Sequence, residues 1–259
     1  MADQKLETMT GRVYRIAPKG HKPSAPKLNL ATAAGCVEAL KSPNYAARYL
    51  AWTKLHAMQG PAEKELVKLW KSDNSRFRAR ALHLLARIKG QEKKYVGQAL
   101  KDKDADIRIT GLRIARDLKL DVIPLVKTLA KDSSAQVRRE CAIALRHHTS
   151  PDAPRLWAQL ARQHDAKDRW YLEALGIGAD KQWDKFMETW LATAGDRWNS
   201  PGGREIVWRS RSKKTPGLLV KLINDKATPE TERARYFRSL DFIQGPEKEA
   251  ALVELLTNK

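Results

Sequence analysis

Three constellations in this chain combine residue types that could do chemistry. His147 and His148 with Asp152 offer imidazoles and a carboxylate, which are ligand types for a divalent metal. Adjacent histidines on a helix point in different directions, however, and the acid lies past a Ser-Pro break, so the spacing is a weak metal signal. Asp180 and Asp184 lie on either side of Trp183, and an acid held against aromatic surfaces can stabilise positive charge as a glycosidic bond breaks. The third constellation is basic: Arg209, Arg211, Lys213 and Lys214 in WRSRSKK, with Arg113, Arg116 and Arg146, could track phosphates. Trp170, Trp183 and Trp208 are a candidate aromatic site beside them. Phosphate contacts alone give salt-dependent binding without sequence selectivity.

Other chemistry finds less support. Cys36 and Cys141 are too few and too far apart for a zinc site or a haem-attachment motif, and nothing in the sequence pairs them in a disulfide. His56 and His83 are isolated. Gly176 and Gly178 in LGIGAD read as a helix end, and Pro201, Gly202 and Gly203 as a turn, rather than as a phosphate loop. No metal and no cofactor is expected on this chain.

The totals set the background for these residues. The chain has 259 residues, 42% hydrophobic and 31% charged, as in a folded protein with one large or two small domains. Its 49 Lys and Arg against 30 Asp and Glu give a formal charge of +19, which attracts polyanions: nucleic acid, acidic lipid or polymer, or an acidic protein. No apolar run is long enough to span a membrane, and the first ten residues, MADQKLETMT, lack the apolar centre of a signal peptide.

What must position these residues is a helical repeat. SPNYAARYLAWTKL from Ser42, SDNSRFRARALHLL from Ser72, DKDADIRITGLRIA from Asp102 and DSSAQVRRECAIAL from Asp132 align without a gap. Their seventh residues, Arg48, Arg78, Arg108 and Arg138, recur every 30 residues. Ala47, Phe77, Ile107 or Val137 precedes each arginine. Four residues later comes Ala51, Ala81, Gly111 or Cys141, and after four more Leu55, Leu85, Ala115 or Leu145, all on one helix face. The small central residues let a neighbouring helix approach. Ser or Asp opens each segment, where it can cap a helix or turn, and an apolar helix such as EKELVKLW or VIPLVKTLA precedes it. Each unit is therefore a helical hairpin, and hairpins of this size bury their apolar faces by stacking.

The expected fold is an all-α solenoid of about six to seven hairpins. Asp102, Ile107 and Arg108, and Asp132, Val137 and Arg138, resemble the signature of a HEAT repeat, which implies an Asp–Arg ladder between repeats. Ser42 and Ser72 replace the acid in the first two units. The ladder set is thus Arg48, Arg78, Arg108, Arg138, Asp102 and Asp132, with a structural role. Residues 28–150 are regular. Residues 151–259 are irregular and tryptophan-rich: a fifth unit keeps an arginine at Arg169, TAGDRWNSPGG interrupts a sixth, and a last helical pair follows. Six of the eight tryptophans fall here, and the bland expectation is that they knit the irregular end together.

GRVYRIAPKG from Gly11 is the exception, because Val13, Tyr14 and Ile16 favour a strand. With LKSPNYAARYLAW, DRWYLEALGIGAD, REIVWRSR and RYFRSLDFIQGPEK it resembles the helical middle region of large exported proteins of planctomycetes and their relatives, the PVC bacteria. In that family of membrane-bound dehydrogenase and haem-binding proteins, a sugar-dehydrogenase-like β-propeller precedes HEAT repeats and a c-type cytochrome domain with a Cys-x-x-Cys-His motif follows them. The resemblance implies that residues 1–27 are a propeller remnant and Pro-rich linker, poorly ordered or lying against the first helices. It also implies a periplasmic or cell-envelope location, and as partners the β-propeller dehydrogenase and cytochrome c regions. Neither the propeller nor the haem motif is present here, so the expectation is a non-catalytic connector or docking module. The alternative is a free-standing basic protein that binds nucleic acid, similar to a HEAT-like DNA glycosylase.

Overall fold

The computed structural model describes residues 16–22 and 27–257, and among these it contains fifteen α-helices and no strand. They are α1 (Ala33–Lys41), α2 (Tyr45–Met58), α3 (Glu63–Trp70), α4 (Ser75–Leu85), α5 (Glu92–Ala99), α6 (Ala105–Asp117), α7 (Ile123–Leu129) and α8 (Ala135–Ala144). There follow α9 (Ala153–Ala161), α10 (Arg169–Gly178), α11 (Trp183–Ala194), α12 (Pro201–Arg209), α13 (Thr215–Asn224), α14 (Glu230–Leu240) and α15 (Pro246–Thr257). Successive helices pack in pairs, α11 and α12 through the 3-10 segment Gly195–Asn199 between them, and α15 packs on α13. This is an α-solenoid of helical hairpins. The even-numbered helices contact one another in chain order and form one layer, with the odd-numbered helices on the other side. The expected strand at residues 12–16 and most of the Pro-rich linker lie outside the described residues; Ile16 itself is exposed and in no strand.

The repeat columns account for the core. Ala51, Ala81, Gly111 and Cys141 are buried, as are Leu55, Leu85, Ala115 and Leu145, so the small column lies at the helix crossings and the larger one fills the space beside it. Gly111 shows how close the crossing is. A Cβ there would stand 2.7 Å from the Cβ of Ala99 on α5, closer than two carbons can pack. Cys36 and Cys141 are buried free thiols, and burial pushes both thiol pKa values up.

The residues that open the four regular segments close a turn, and the helix caps fall two residues later. Ser42, Ser72, Asp102 and Asp132 accept a hydrogen bond from the backbone N–H of Asn44, Asn74, Asp104 and Ser134 respectively. Those four are the N-caps of α2, α4, α6 and α8. The side chains of Asn44, Asn74 and Asp104 accept from the first-turn N–H groups of their helices, a contribution of about 1 kcal/mol per cap.

Counted from its cap, each ladder arginine is the fourth residue on. Arg108 donates through Nε and Nη2 to both carboxylate oxygens of Asp132, each at 2.7 Å, and through Nη1 to the carbonyls of Asp102 and Lys103. It thereby ties its own turn to the next hairpin. Arg78 reaches Asp102 at 2.7 Å in the same sense. Arg48 donates to the carbonyls of Ser42 and Pro43, and Ser72 offers it no acid to pair with. Arg138 donates to the carbonyls of Asp132 and Ser133 and then lies over the ring of Tyr171, 5.5 Å from its centroid.

Two sequence expectations need correction. Arg169 is the first residue after the Asp168 cap rather than the fourth, so it lies outside the ladder; Leu172 holds the ladder position in α10. Pro201, Gly202 and Gly203 open α12 instead of forming a turn. Ser200 caps this helix by accepting from the N–H of Gly203, and Pro201 stands where a helix has no N–H to satisfy.

Arg108→Met strands the largely buried carboxylate of Asp132, and it should lower stability in urea unfolding by about 3 kcal/mol. Arg48→Met removes hydrogen bonds to turn carbonyls and an exposed contact with the Tyr45 ring but strands no acid, and should cost about 1 kcal/mol in the same measurement. Equal losses would remove the distinction between an inter-repeat ion pair and a turn clasp.

Candidate surface of the even-numbered helices

The basic candidates lie on or beside the even-numbered layer, and most of them face carboxylates one helix away. Arg113 and Arg116 on α6 both donate to Glu140 of α8 at 2.8 Å, and the Glu140 side chain is only 4% exposed. Arg139 donates to Asp168, the cap of α10, at 3.4 Å. After α8, Arg146 reaches Asp180 at 2.8 Å, where His147 also points, 3.1 Å from the same oxygen. Arg209 on α12 donates to Glu173 of α10 at 3.0 Å, and Arg169 holds the other oxygen of that carboxylate. Arg235 on α14 forks onto Glu205 of α12, with one bond at 2.9 Å.

These pairings set the charge states. The guanidinium of Arg146, helped by His147, holds the Asp180 carboxyl below the usual carboxylate range. Burial would raise Glu173, but the bonds from Arg209 and Arg169 outweigh it and the net shift is downward. The bond to Glu205 raises the Arg235 pKa further against the opposing effect of burial. Such groups stay charged across the physiological range.

The cluster around WRSRSKK is a structural loop in large part. Arg211 donates to the carbonyls of Trp208, Arg209 and Ser210 and lies 5.0 Å from the ring centroid of Phe242. Lys214 reaches Glu188 at 3.4 Å. Asp184 accepts from Ser212 Oγ at 3.0 Å and from the N–H of Lys213 at 2.8 Å, so this carboxylate anchors the loop. Asp180 is paired with Arg146 on the other flank of Trp183, and the two acids serve separate junctions.

The three candidate tryptophans have three different environments. Trp183 is buried with Trp157 and stands edge-on to it at 5.9 Å. Trp157 is fully buried, donates from Nε1 to the Leu175 carbonyl at 3.0 Å, and also touches Phe186. Trp208 has two cations near its ring, Arg235 at 3.9 Å and Arg169 at 5.3 Å from the centroid. Trp170 is 71% exposed. Of the proposed metal ligands, His147 faces Asp180, His148 accepts from the N–H of Ser150, and Asp152 pairs with Arg155. Among the described residues no three His, Cys, Asp or Glu side chains are grouped to hold a metal, and no helix is long and apolar enough to cross a membrane.

Sequence reasoning missed the acids of this surface. Glu140, Glu173 and Glu205 each stand about one repeat from their arginine partners, a separation that would have flagged them. It also missed Arg204 and Arg233, each the fourth residue after its cap, Ser200 or Pro229. Arg204 donates to Asp225 at 3.1 Å and Arg233 to the carbonyl of that same residue at 3.0 Å, which repeats the geometry of Arg78, Asp102 and Arg108.

His164, also missed, is stacked on Tyr171 at 5.9 Å, and both its ring nitrogens are buried without a hydrogen-bond partner. Burial lowers its pKa from 6.5, although Glu205, Asp165 and Asp168 favour the proton. The unfolded chain therefore binds this proton more readily than the folded one. Stability is complete above about pH 6.5 and falls as pH drops towards the folded-state value. Thermal unfolding should show Tm decreasing from pH 7 to pH 5, with a shallower slope in His164→Phe. His83, whose pKa burial and Arg87 also lower, supplies a remainder of the same sign. An unchanged slope in His164→Phe would refute this assignment.

In comparisons with known proteins, no family model and no curated protein matches this chain.

Proposed function

We propose that this chain is a non-catalytic solenoid scaffold, and that it connects the dehydrogenase and cytochrome c parts of an exported redox protein. The observation that carries this reading is the fate of the charged side chains on the even-numbered layer. Glu140, Asp168, Asp180, Glu173 and Glu205 each hold an arginine from a neighbouring hairpin, and Asp184 holds a loop. Acids used in this way fix the relative position of repeats. A general acid or base needs an open face and a changing proton, and Asp180 and Glu173 are instead held ionised by guanidinium groups that already neutralise them.

A stack with such junctions suits a spacer, because each hairpin contacts its neighbours and displacement at one end is transmitted as a rigid-body shift. The identity of the joined parts rests on the resemblance of GRVYRIAPKG, DRWYLEALGIGAD and IVWRSR to the middle region of the PVC proteins.

An antibody to this chain, used on fractionated source cells, tests the connection. The expected result is a polypeptide far heavier than 29.3 kDa in the envelope or periplasmic fraction that also stains for covalent haem. A haem-free species near that mass in the cytoplasm would overturn the connector reading.

A further inference from the structure

At the first two hairpins the even-numbered layer differs from the rest. Tyr45, Tyr49, Trp52 and His56 follow one another along α2 at steps of four, three and four, which places them on one helix face. Tyr45 is 74% and Tyr49 59% exposed, and Trp52 stacks on His56 at 4.9 Å. Across from this face α4 presents Arg80 and His83. Tyr45, Tyr49 and Trp52 with Arg48, Arg80 and His83 line a cavity of about 300 Å3 with Leu40 at its wall. Because α4 supplies one side, the cavity is a junction between hairpins rather than the bare end of the stack.

The cations here lack the acids found further along. Arg48, Arg76 and Arg80 make no ion pair within 4.0 Å among the described residues, whereas Arg113, Arg116, Arg139, Arg146 and Arg209 on the later helices all do. Arg48 spends one terminal nitrogen on the carbonyls of Ser42 and Pro43, and Arg80 spends one on the carbonyl of Leu40. The bonds orient both guanidinium groups and leave their other N–H groups for a ligand. Burial, and after it the field of Arg48 and Arg76, lowers the Arg80 pKa. The exposed rings of Tyr45 and Tyr49 adjoin this unneutralised cationic cluster on one helix face.

We propose that the cavity between α2 and α4 binds a nucleotide unit, with a planar base stacked on Tyr49 and Trp52 and its phosphate on Arg48 and Arg80. The volume is at the low end for small-ligand pockets, enough for one ring system and one phosphate. A duplex is excluded because its base faces are already stacked, so the ligand is a free nucleotide or one residue of a single strand. The site is independent of the scaffold reading and stands or falls on its own.

Titration of the full chain by calorimetry with dAMP, deoxyadenosine, deoxyribose 5-phosphate and a short oligo(dA) tests it. The expected result is saturable dAMP binding, with each half-ligand roughly tenfold weaker or worse. Tyr49→Ala should weaken dAMP roughly tenfold, the loss of one stacking partner, while Tyr49→Phe keeps wild-type affinity. The exposure of Tyr49 makes both variants foldable, which circular dichroism checks. Oligo(dA) binding more than tenfold tighter than dAMP identifies a single strand as the ligand, and equal affinity identifies the free nucleotide. Deoxyribose 5-phosphate binding as well as dAMP, or no effect of Tyr49→Ala, or no dAMP binding, would each overturn the proposal.

Discussion

Every hairpin of this solenoid has to satisfy the backbone of the turn between its helices while holding the next hairpin in register. Where the ladder is complete, one arginine, the fourth residue after the cap of the even-numbered helix, does both, whereas α10 carries Leu172 there. The arginine's guanidinium reaches back to turn carbonyls and forward to an acid of the following turn, as Arg108 does with Asp102, Lys103 and Asp132. The constraint is geometric. A planar fork with five donors can satisfy a carbonyl pair and a carboxylate at once, whereas a lysine ammonium is a point charge with no such fork. The acid has a double duty as well: Asp132 accepts from Arg108 and from the N–H of Ser134, so removing either partner exposes the other's demand. Burial would lift the Asp132 pKa, yet those bonds bring it below the usual range.

This arrangement was legible in the sequence where spacing stayed constant. A 30-residue period placed Arg48, Arg78, Arg108 and Arg138, and the columns four residues apart located the core. Beyond residue 150 the turn lengths change, and a period measured from arginine to arginine led to Arg169, which belongs to another network. The quantity kept by the fold is the offset from the cap, which is why Arg204 and Arg233 resume the ladder although no fixed period reaches them. The openers Ser42 and Ser72 stood out by position, while the caps Asn44 and Asn74 did not, because an Asx turn and a helix cap draw on the same residue types. At the candidate surface the cations were visible and their neutralisation was not. A charge excess is additive along a sequence, but pairing depends on which acids the stacking brings one helix away.

The later half solves the same problem of junctions with different material. Ahead of Arg138 the ring of Tyr171 takes the place of a ladder acid, and at the next junctions Arg169 and Arg235 add contact with the ring of Trp208 to their ion pairs with Glu173 and Glu205. A ring face accepts a cation with a tolerance in distance and angle that a carboxylate fork lacks. That tolerance suits hairpins whose turns vary, including the one interrupted by the 3-10 segment Gly195–Asn199. Trp157, Trp183 and Phe186 work likewise inside the core, where large flat side chains fill the wider gaps left by unequal helices. The aromatic enrichment is then a consequence of irregular spacing.

The same reasoning separates the two ends. From α6 onward the acids at each junction consume the arginines of the even-numbered layer, so the net charge of +19 cannot be concentrated there as free guanidinium groups. At α2 and α4 the openers are Ser42 and Ser72 and no acid is supplied. The junction is held instead by arginine bonds to carbonyls, which satisfy hydrogen bonding without neutralising charge. The serine at position 72 weakens the ladder to a clasp at Arg48, and no acid among the described residues lies within 4.0 Å of Arg76 or Arg80 either. All three stay unneutralised beside the exposed rings of α2, where an anion from outside the chain can do what Asp102 and Asp132 do within it.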